Sequence, residues 1–421
     1  MKYSIVTFGC RVNQADSLQI EERLRARGGA EAAPGDADLV IVNTCSVTST
    51  ADQGARQTIR RVARNNPGAR VVVTGCYASR CASDLADLPG VVAVVANGRK
   101  DTLVEDLYAG DLLPTSLRFG SGDGPCGAIE PGLAGRTAFT LRVQTGCEES
   151  CSYCIIPATR GAGRSMALAE VVSAVERAAA SGFKEVALTG VHLGSYGRDL
   201  NPGGSLIDLL RALDACAADV VFRISSLEPM DCTPEIVELV AVSGGRFAPH
   251  FHLPLQHASD SVLAAMRRPY TFSDYRRLVD SIAERVPSVS IGSDMIVGFP
   301  GETDADFRRN VDYLPGSPLS HLHVFPYSDR PGTAATAMRN KVDGVTIRDR
   351  GRALRDIGAG LTQRFRESQT GSVRPGLTLA DGTVVVTDNY LKVRIPAGLG
   401  RNVRVRVRID EVGESLRGTV V

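Results

Sequence analysis

The sequence predicts an α/β protein in three parts: an N-terminal doubly wound parallel sheet, a central partial (β/α) barrel and a small C-terminal all-β barrel. Near the start, continuous β-branched runs alternate with helical stretches, and six larger strand–helix units follow. Residues after about 371 alternate as strands, separated by turns. We place the parts at residues 1–114, 137–369 and 370–421, with a linker rich in Gly, Pro and Ser at 115–136.

Three apolar runs near the N-terminus each lead into a cysteine. They are Lys2–Phe8 before Cys10, Asp38–Val42 before Cys45, and Ala69–Val73 before Cys76. Such runs are typical of buried parallel strands, and helices at Ser17–Arg27 and Thr50–Asn65 fit between them. Because the carboxyl ends of parallel strands meet at one edge, we expect the three cysteines to converge there. The alternative is that they are buried small apolar residues, and Cys81 competes with Cys76 as a ligand.

The central part is predicted to hold six strands with helices between them. The strands are Thr140–Gln144, Glu185–Leu188, Val221–Ile224, His250–Leu255, Ser290–Val297 and His321–Phe325. The helices are Leu168–Ser181, Ser205–Ala217, Thr233–Ser243, Ser259–Met266, Thr271–Val286 and Thr303–Tyr313. This order predicts an open or partial barrel whose active face lies just after the strands.

A basic helix at Arg348–Glu367 precedes the C-terminal strands Val384–Val386, Leu391–Ile395 and Val403–Ile409. Arg404, Arg406 and Arg408 alternate with valines, so one strand presents three guanidinium groups on one face. That arrangement suits contact with phosphates. The alternative is a solvated edge strand guarded by charge.

Composition narrows the class of protein. A net charge of +1 excludes a general polyelectrolyte binder, although the C-terminal basic segment allows local nucleic-acid contact. No apolar run is long enough for a bilayer, and the N-terminus lacks a signal peptide, so we expect a cytoplasmic protein. Ten cysteines in that compartment favour metal or redox roles over disulfides.

The sharpest motif is Cys147-Glu148-Glu149-Ser150-Cys151-Ser152-Tyr153-Cys154. Three thiolates in eight residues suit an iron–sulfur cluster with one iron left open for another ligand. An aromatic residue before the third cysteine is typical of enzymes that cleave S-adenosylmethionine (SAM) to a radical. The alternatives are a structural cluster or a zinc site, but zinc prefers four ligands, and no fourth cysteine or nearby histidine completes this motif.

The chain resembles radical SAM methylthiotransferases along nearly its whole length. The motifs that carry this resemblance are Phe8–Gln14, Asn43–Val47, Thr74–Cys76, Cys147–Pro157, Leu188–Gly197, Ser225–Pro229 and Asp294–Thr303. The resemblance implies two 4Fe-4S clusters, one held by Cys10, Cys45 and Cys76 and the other by the catalytic Cys147, Cys151 and Cys154. It also implies that one SAM methylates a sulfur on the first cluster, and that a second SAM yields the radical that activates the substrate carbon.

The resemblance further implies contacts to SAM and to RNA. For SAM these are Gly190, His192, Ser226, Glu228, Gln256 and Gly298. The alternatives are a cap or salt bridge for Glu228, packing for His192 and a turn for Gly298. The C-terminal barrel resembles the TRAM domain, for which RNA contacts would be Tyr390, Lys392, Arg394, Arg404, Arg406 and Arg408. The implied partners are tRNA and an electron donor such as a flavodoxin or ferredoxin, with no membrane or DNA.

Three substrates are open within the family: N6-threonylcarbamoyladenosine in tRNA, N6-isopentenyladenosine in tRNA, and an aspartate of a ribosomal protein. The segments Gly9–Gln14, Thr189–Gly197 and Asp388–Val393 look most like the threonylcarbamoyladenosine branch. His257, which replaces the usual small residue after Gln256, departs from the family pattern. From other classes, an iron–sulfur RNA-binding or redox protein, or a SAM enzyme that methylates without inserting sulfur, stay open.

Overall fold

The computed structural model describes residues 1–46, 49–109, 129–132 and 136–421. Most of the predicted linker, with Cys126, lies outside these residues, as does Val47. The chain divides into two compact units. The first is Met1–Glu130 with Thr145–Glu149 and Ile155–Gly163; the second is Pro131–Gln144, Ser150–Cys154 and Arg164–Val421. The second unit thus contains both the central strands and the C-terminal barrel, and the four-part boundaries predicted from sequence stay a prediction.

The first unit is built on the predicted doubly wound parallel sheet. Its elements are β1 (Lys2–Thr7), α1 (Arg11–Ala26), β2 (Ala30–Glu31), β3 (Leu39–Thr44), α2 (Ser49–Asn65), β4 (Arg70–Gly75), α3 (Cys76–Arg80), α4 (Ala82–Ala86), β5 (Val91–Val95) and α5 (Leu103–Ala109). The strand order is β2-β1-β3-β4-β5, all parallel, so β1, β3 and β4 are neighbours. All of β3 is buried, which explains its unbroken apolar run.

The central part of the second unit is a partial barrel. Its elements are β6 (Phe139–Thr145), α6 (Ile156–Arg160, in the first unit), β7 (Arg164–Ser165), α7 (Leu168–Ala180), β8 (Glu185–Gly190), α8 (Leu206–Ala215), β9 (Val221–Ile224), α9 (Pro234–Val242), β10 (His250–His252), α10 (Asp260–Ala265), α11 (Phe272–Arg285), β11 (Ser290–Val297), α12 (Asp304–Tyr313) and β12 (His321–Pro326). Strands β6, β8 and β9 pair in parallel, as do β10, β11 and β12. Bridges at Phe222–Phe247 and Ser226–His252 join the two sets.

The helices of the barrel begin where the sequence signals a cap. Ser205, Thr271 and Thr303 each form a capping box with the aspartate three residues later, before α8, α11 and α12. Tyr275 of α11 donates hydrogen bonds to Ser293 and to the Leu253 carbonyl. Because strand side chains alternate, this contact fixes Ser293 on the outer face and turns its neighbours Gly292 and Asp294 towards the interior.

The long helix α13 (Gly344–Ser368) leads into a closed barrel of β13 (Val373–Leu379), β14 (Val384–Thr387), β15 (Lys392–Arg394), β16 (Arg404–Val412) and β17 (Leu416–Val420). The strand order is β13-β14-β15-β17-β16, around a core that includes Val385, Val393, Val407 and Ile409. The predicted all-β barrel is confirmed. No helix among the described residues has the length and apolar character needed to cross a membrane.

Candidate iron–sulfur and SAM site

The structure brings Cys10, Cys45 and Cys76 to the same edge of the first sheet. Cys10 follows β1 and caps α1, Cys45 follows β3, and Cys76 opens α3 directly after β4. Since β1 and β4 each pair with β3, the three cysteines sit at the ends of three adjacent strands. Cys81 lies between α3 and α4, away from any strand end.

Two glycines let these strand ends approach closely. Gly9 has φ +87° and Gly75 has φ +104°, a region that favours glycine. A Cβ on Gly9 would lie 2.4 Å from the Cys45 sulfur, and one on Gly75 would lie 2.1 Å from the Thr44 carbonyl oxygen. The residue before each outer cysteine is therefore pressed against the middle strand, which fits three ligands that share one cluster.

A buried charged group lies beneath this edge. Asp16 accepts hydrogen bonds from Lys100 at 2.9 Å and from Arg160 at 3.0 Å, and all three side chains are at most 3% exposed. Burial lowers the pKa of Lys100, whereas Asp16, Cys76 and Cys10 raise that of Arg160 against the effect of burial. Two buried cations share one carboxylate, so the group carries an excess positive charge that anionic thiolates and sulfide would balance.

Asn97 is the fourth polar contact at this edge. Its side-chain amide donates to the Cys76 sulfur at 3.6 Å and to the Thr159 carbonyl at 3.0 Å. A donor aimed at a thiolate is a common support for iron–sulfur clusters. Asn97, Lys100 and Arg160 were not predicted as site residues, because single polar residues far apart in sequence carry no spacing signal.

The second cysteine motif is held by its local contacts. In the first unit, the Cys147 amide donates to the Gly161 carbonyl at 3.0 Å. In the second unit, Ser152 lies between two cysteines, and its amide and hydroxyl donate to the carbonyls of Met266 and Ala265. Tyr153 packs against the apolar cluster around Met266 and Phe299. The aromatic residue before Cys154 therefore anchors this loop.

Arg268 contacts this motif directly. Its guanidinium donates to the Cys151 sulfur at 3.3 Å and forms an ion pair with Glu228. Glu228 was predicted to bind SAM, and the structure places it in the salt bridge that was the alternative. Arg268 is almost fully buried and places a positive charge beside the Cys151 sulfur. This suits a Cys151 thiolate that binds an iron–sulfur cluster.

The other predicted SAM residues lie at the ends of the barrel strands. Gly190 ends β8 and packs against Gln144 and Leu193, and Ser226 follows β9 and is exposed. Gln256 has φ 67°, and its backbone forms hydrogen bonds with the backbone of Asp294 and Ile296 in β11. These positions surround the carboxyl ends of the strands, where ligands bind in this kind of fold.

His192 and Gly298 have structural partners. His192 is buried, with its Nε2 2.7 Å from an Asp231 oxygen. Although burial opposes it, the hydrogen bonds from His192 and Arg198 lower the pKa of Asp231. Gly298 has φ +77°, and its amide donates to Glu302. His257, the departure from the family pattern, is fully buried and contacts Asn310 and the Ser259 amide.

Three of the predicted RNA contacts are exposed on the C-terminal barrel: Lys392, Arg394 and Arg406. Arg404 instead pairs with Asp219, and Arg408 pairs with Asp410. Tyr390 lies against the His250 ring and beneath the Arg223 guanidinium. Register places Arg417 of β17 beside Arg394, and the exposed Arg417 guanidinium also lies 3.5 Å from Glu411.

Comparison with known proteins identifies the class. The Uncharacterized protein family UPF0004 matches residues 2–97, and the Radical SAM superfamily matches residues 141–314. The fold is similar to that of the radical S-adenosylmethionine methyltransferase TsrM from Kitasatospora setae, with TM-score 0.56 at 18% identity over 80% of this chain and 77% of that one. The fold and the cysteine motif Cys147–Cys154 thus define a radical SAM enzyme.

Curated relatives narrow the class further. The chain is 36% identical to Threonylcarbamoyladenosine tRNA methylthiotransferase MtaB of Aquifex aeolicus (strain VF5), over 94% of this chain and 96% of that protein. It is 33% identical to the protein of that name from Bacillus subtilis (strain 168), over 95% and 92%. It is 31% identical to tRNA-2-methylthio-N(6)-dimethylallyladenosine synthase of Parafrankia sp. (strain EAN1pec), over 90% and 78%. The chain belongs to the radical SAM tRNA methylthiotransferase family.

Proposed function

We propose that this enzyme adds a methylthio group to C2 of N6-threonylcarbamoyladenosine next to the anticodon of tRNA, using SAM and two 4Fe-4S clusters. Cys147, Cys151 and Cys154 would hold the radical SAM cluster, and Cys10, Cys45 and Cys76 the auxiliary cluster. When bound, the first group supplies the electron that cleaves SAM, and the second supplies sulfur.

Polar and charged side chains next to both sets of cysteines support these roles. Asn97 donates to the Cys76 sulfur, and the buried cations Lys100 and Arg160 balance negative charge at the auxiliary edge. At the other motif, the Arg268 guanidinium donates to the Cys151 sulfur and balances its negative charge, while Glu228 holds the guanidinium in place. Gly190, Ser226 and Gln256 would contact SAM at the strand ends. The exposed hydroxyl of Ser226 and the side-chain amide of Gln256 suit the polar amino acid and ribose parts of SAM.

The observation that carries the choice of substrate is the polarity of the barrel interior. Asp294 points inwards between His252 and His323, whose ring nitrogens lie 2.9 and 3.2 Å from one carboxylate oxygen. Against the effect of burial, these contacts lower the pKa of Asp294, so the carboxylate is ionised. This wall suits the hydroxyl and urea of a threonylcarbamoyl group, because their O–H and N–H groups can donate to the Asp294 carboxylate and the imidazoles can bond to their oxygens. An apolar isopentenyl group could make no hydrogen bond to these side chains.

The C-terminal barrel would bind the tRNA as a TRAM-like module. Lys392, Arg394 and Arg417 lie on adjacent strands and are exposed, so their cationic groups can reach phosphates. An electron donor such as a flavodoxin or ferredoxin would reduce the radical SAM cluster.

Mass spectrometry of nucleosides from total tRNA tests the function and its substrate together, in cells with and without the gene. We expect the 2-methylthio form of threonylcarbamoyladenosine to vanish without the gene, while threonylcarbamoyladenosine that lacks the methylthio group accumulates. Complementation with wild type should restore it. Loss of the methylthio form of isopentenyladenosine instead would assign the other tRNA substrate, and unchanged nucleosides would direct the search to the ribosomal protein.

Purified protein tests the two-cluster chemistry. Reconstituted wild type should bind about eight irons, roughly four per cluster. Replacement of Cys10, Cys45 and Cys76 by Ala should leave about four irons and preserve SAM cleavage to 5′-deoxyadenosine, but abolish methylthiolation. Methylthio product from that variant would reject the auxiliary cluster as sulfur source, and absence of 5′-deoxyadenosine from wild type would favour a redox or RNA-binding protein.

A further inference from the structure

Four of the six histidines in the chain gather on the inner side of the sheet formed by β10, β11 and β12. They are His250 and His252 on β10, and His321 and His323 on β12. Neighbouring rings in this group lie between 5.3 and 6.2 Å apart. In the sequence, each pair has the form His-x-His, and the two strands that carry the pairs lie on either side of β11.

The middle strand makes room for the imidazoles. In the strand register, Gly292 pairs with both His252 and His321, and Asp294 pairs with His323. A Cβ on Gly292 would lie 2.1 Å from Nε2 of His321 and 2.8 Å from Nδ1 of His252. Any larger residue would therefore displace the rings, and a glycine here allows them to meet over β11.

Three of the side chains have the spacing of metal ligands. Nε2 of His252 and Nδ1 of His323 lie 2.9 and 3.2 Å from Oδ1 of Asp294, and one ligand atom from each residue falls within 4.8 Å of the others. Ligands bonded at about 2.0–2.2 Å to one ion stand about 3.0–3.5 Å apart. The three atoms can therefore reach a shared ion with small adjustments.

We propose that His252, Asp294 and His323 bind one divalent transition-metal ion of the Zn²⁺ class, at a site separate from the cysteine motifs. Two imidazoles and a carboxylate form a donor set that such ions favour. Three protein ligands leave a coordination position open. That position is accessible, because the His323 side chain is 59% exposed, and it suits an oxygen ligand such as a carboxylate or hydroxyl. The inference does not depend on the proposed substrate.

Zinc binding by the cluster-loaded enzyme tests the proposal, since iron then occupies the six cysteines of the two cluster motifs. After equilibrium dialysis against Zn²⁺, elemental analysis should give about one zinc per chain for wild type. His323→Gln and Asp294→Asn should weaken the affinity at least tenfold. His321→Gln, on the same strand and face but outside the trio, is the matched control and should stay within twofold of wild type. Iron content and thermal melting will verify that each variant is folded.

X-ray absorption at the zinc edge of the wild-type protein supplies a test that needs no variant. We expect nitrogen and oxygen neighbours with the scattering pattern of two imidazoles. Sulfur neighbours would assign the zinc to cysteines and overturn the proposal. It would also be overturned if wild type bound no zinc, or if His323→Gln and His321→Gln bound it equally well, because the histidine–aspartate contacts would then be hydrogen bonds alone.

Discussion

Arg160 donates a hydrogen bond to Asp16 across 144 positions of sequence, with 3.0 Å between Nη2 and Oδ2. The same guanidinium donates to the side-chain oxygen of Asn13. Asn13 in turn donates to the carbonyls of Phe8 and Thr44, next to Cys10 and Cys45. The segment that follows the Cys147–Cys154 motif in sequence therefore helps to build the edge that carries the other three cysteines.

The carboxylate of Asp16 should be essential for stability. Asp16→Asn leaves Lys100 and Arg160 as buried cations without their shared anion, and we expect a loss of about 3–5 kcal/mol in the free energy of unfolding. Urea unfolding measures it. The control is Asp106→Asn, which removes the partner of the exposed Arg99 and should cost at most about 1 kcal/mol. Equal losses in the two variants would contradict a special role for the buried group.

The close approach at Gly75 gives a second prediction. Gly75→Ala places a Cβ against the Thr44 backbone at positive φ, so we expect about 2 kcal/mol or more of destabilisation and fewer than eight irons per chain. Gly98→Ala, where a Cβ meets nothing within 4 Å, is the control and should keep full iron content. Unchanged iron in Gly75→Ala would show that this strand end is not part of a cluster site.

The third prediction concerns the Arg268–Cys151 contact. Arg268→Met removes a charged donor from the Cys151 sulfur, and we expect the reduction potential of the radical SAM cluster to fall by an amount on the order of tens of millivolts. Redox titration followed by electron paramagnetic resonance measures it. Arg267→Met, one residue earlier and exposed, should leave the potential unchanged. A potential that does not move in Arg268→Met would mean that the guanidinium only binds Glu228.

The fourth prediction separates RNA contacts from structural arginines on the C-terminal barrel. Arg394→Ala should lower the slope of log affinity for tRNA against log salt by about 0.7–0.9, as expected for one lost phosphate contact. Arg404→Ala should lower it less, because Asp219 already neutralises that side chain. Filter binding over a range of salt concentrations gives both slopes. If Arg404→Ala had the larger effect, the RNA would follow β16 rather than β15 and β17.

Most of the fold could be predicted, because the spacing of apolar residues indicates the helices and strands, and turn-forming residues mark where they end. The six barrel strands and their helices agree with prediction to within about two residues in most cases, apart from the short β10. Helix α1 is the clearest error: it begins at Arg11, not at Ser17. Its first turn holds Asn13, whose buried side-chain amide donates hydrogen bonds to carbonyls at two strand ends. These contacts explain why a polar segment that is typical of a loop is helical here.

The site was predictable only where residues are close in sequence or share a strand position. The Cys147–Cys154 motif and the cysteine after each strand meet that condition. Arg268, Asn97 and Lys100 do not, since only tertiary packing brings them to the cysteines. Tyr390 has tertiary contacts that the sequence did not reveal: its ring contacts His250 and lies beneath Arg223, while base stacking by this side chain stays a prediction. Alternation along a strand does not reveal a partner on another element.

Arg223 has one more consequence. This buried guanidinium pairs with Glu185 in the central barrel and donates to the Asp388 carbonyl of the C-terminal barrel, while Asn389 donates to the Ser288 carbonyl. Side chains of each barrel thus donate hydrogen bonds to the backbone of the other. If the C-terminal barrel binds tRNA as proposed, this connection would set the distance between the bound RNA and the strand ends of the central barrel, so that the position of a nucleotide would matter as well as its chemistry.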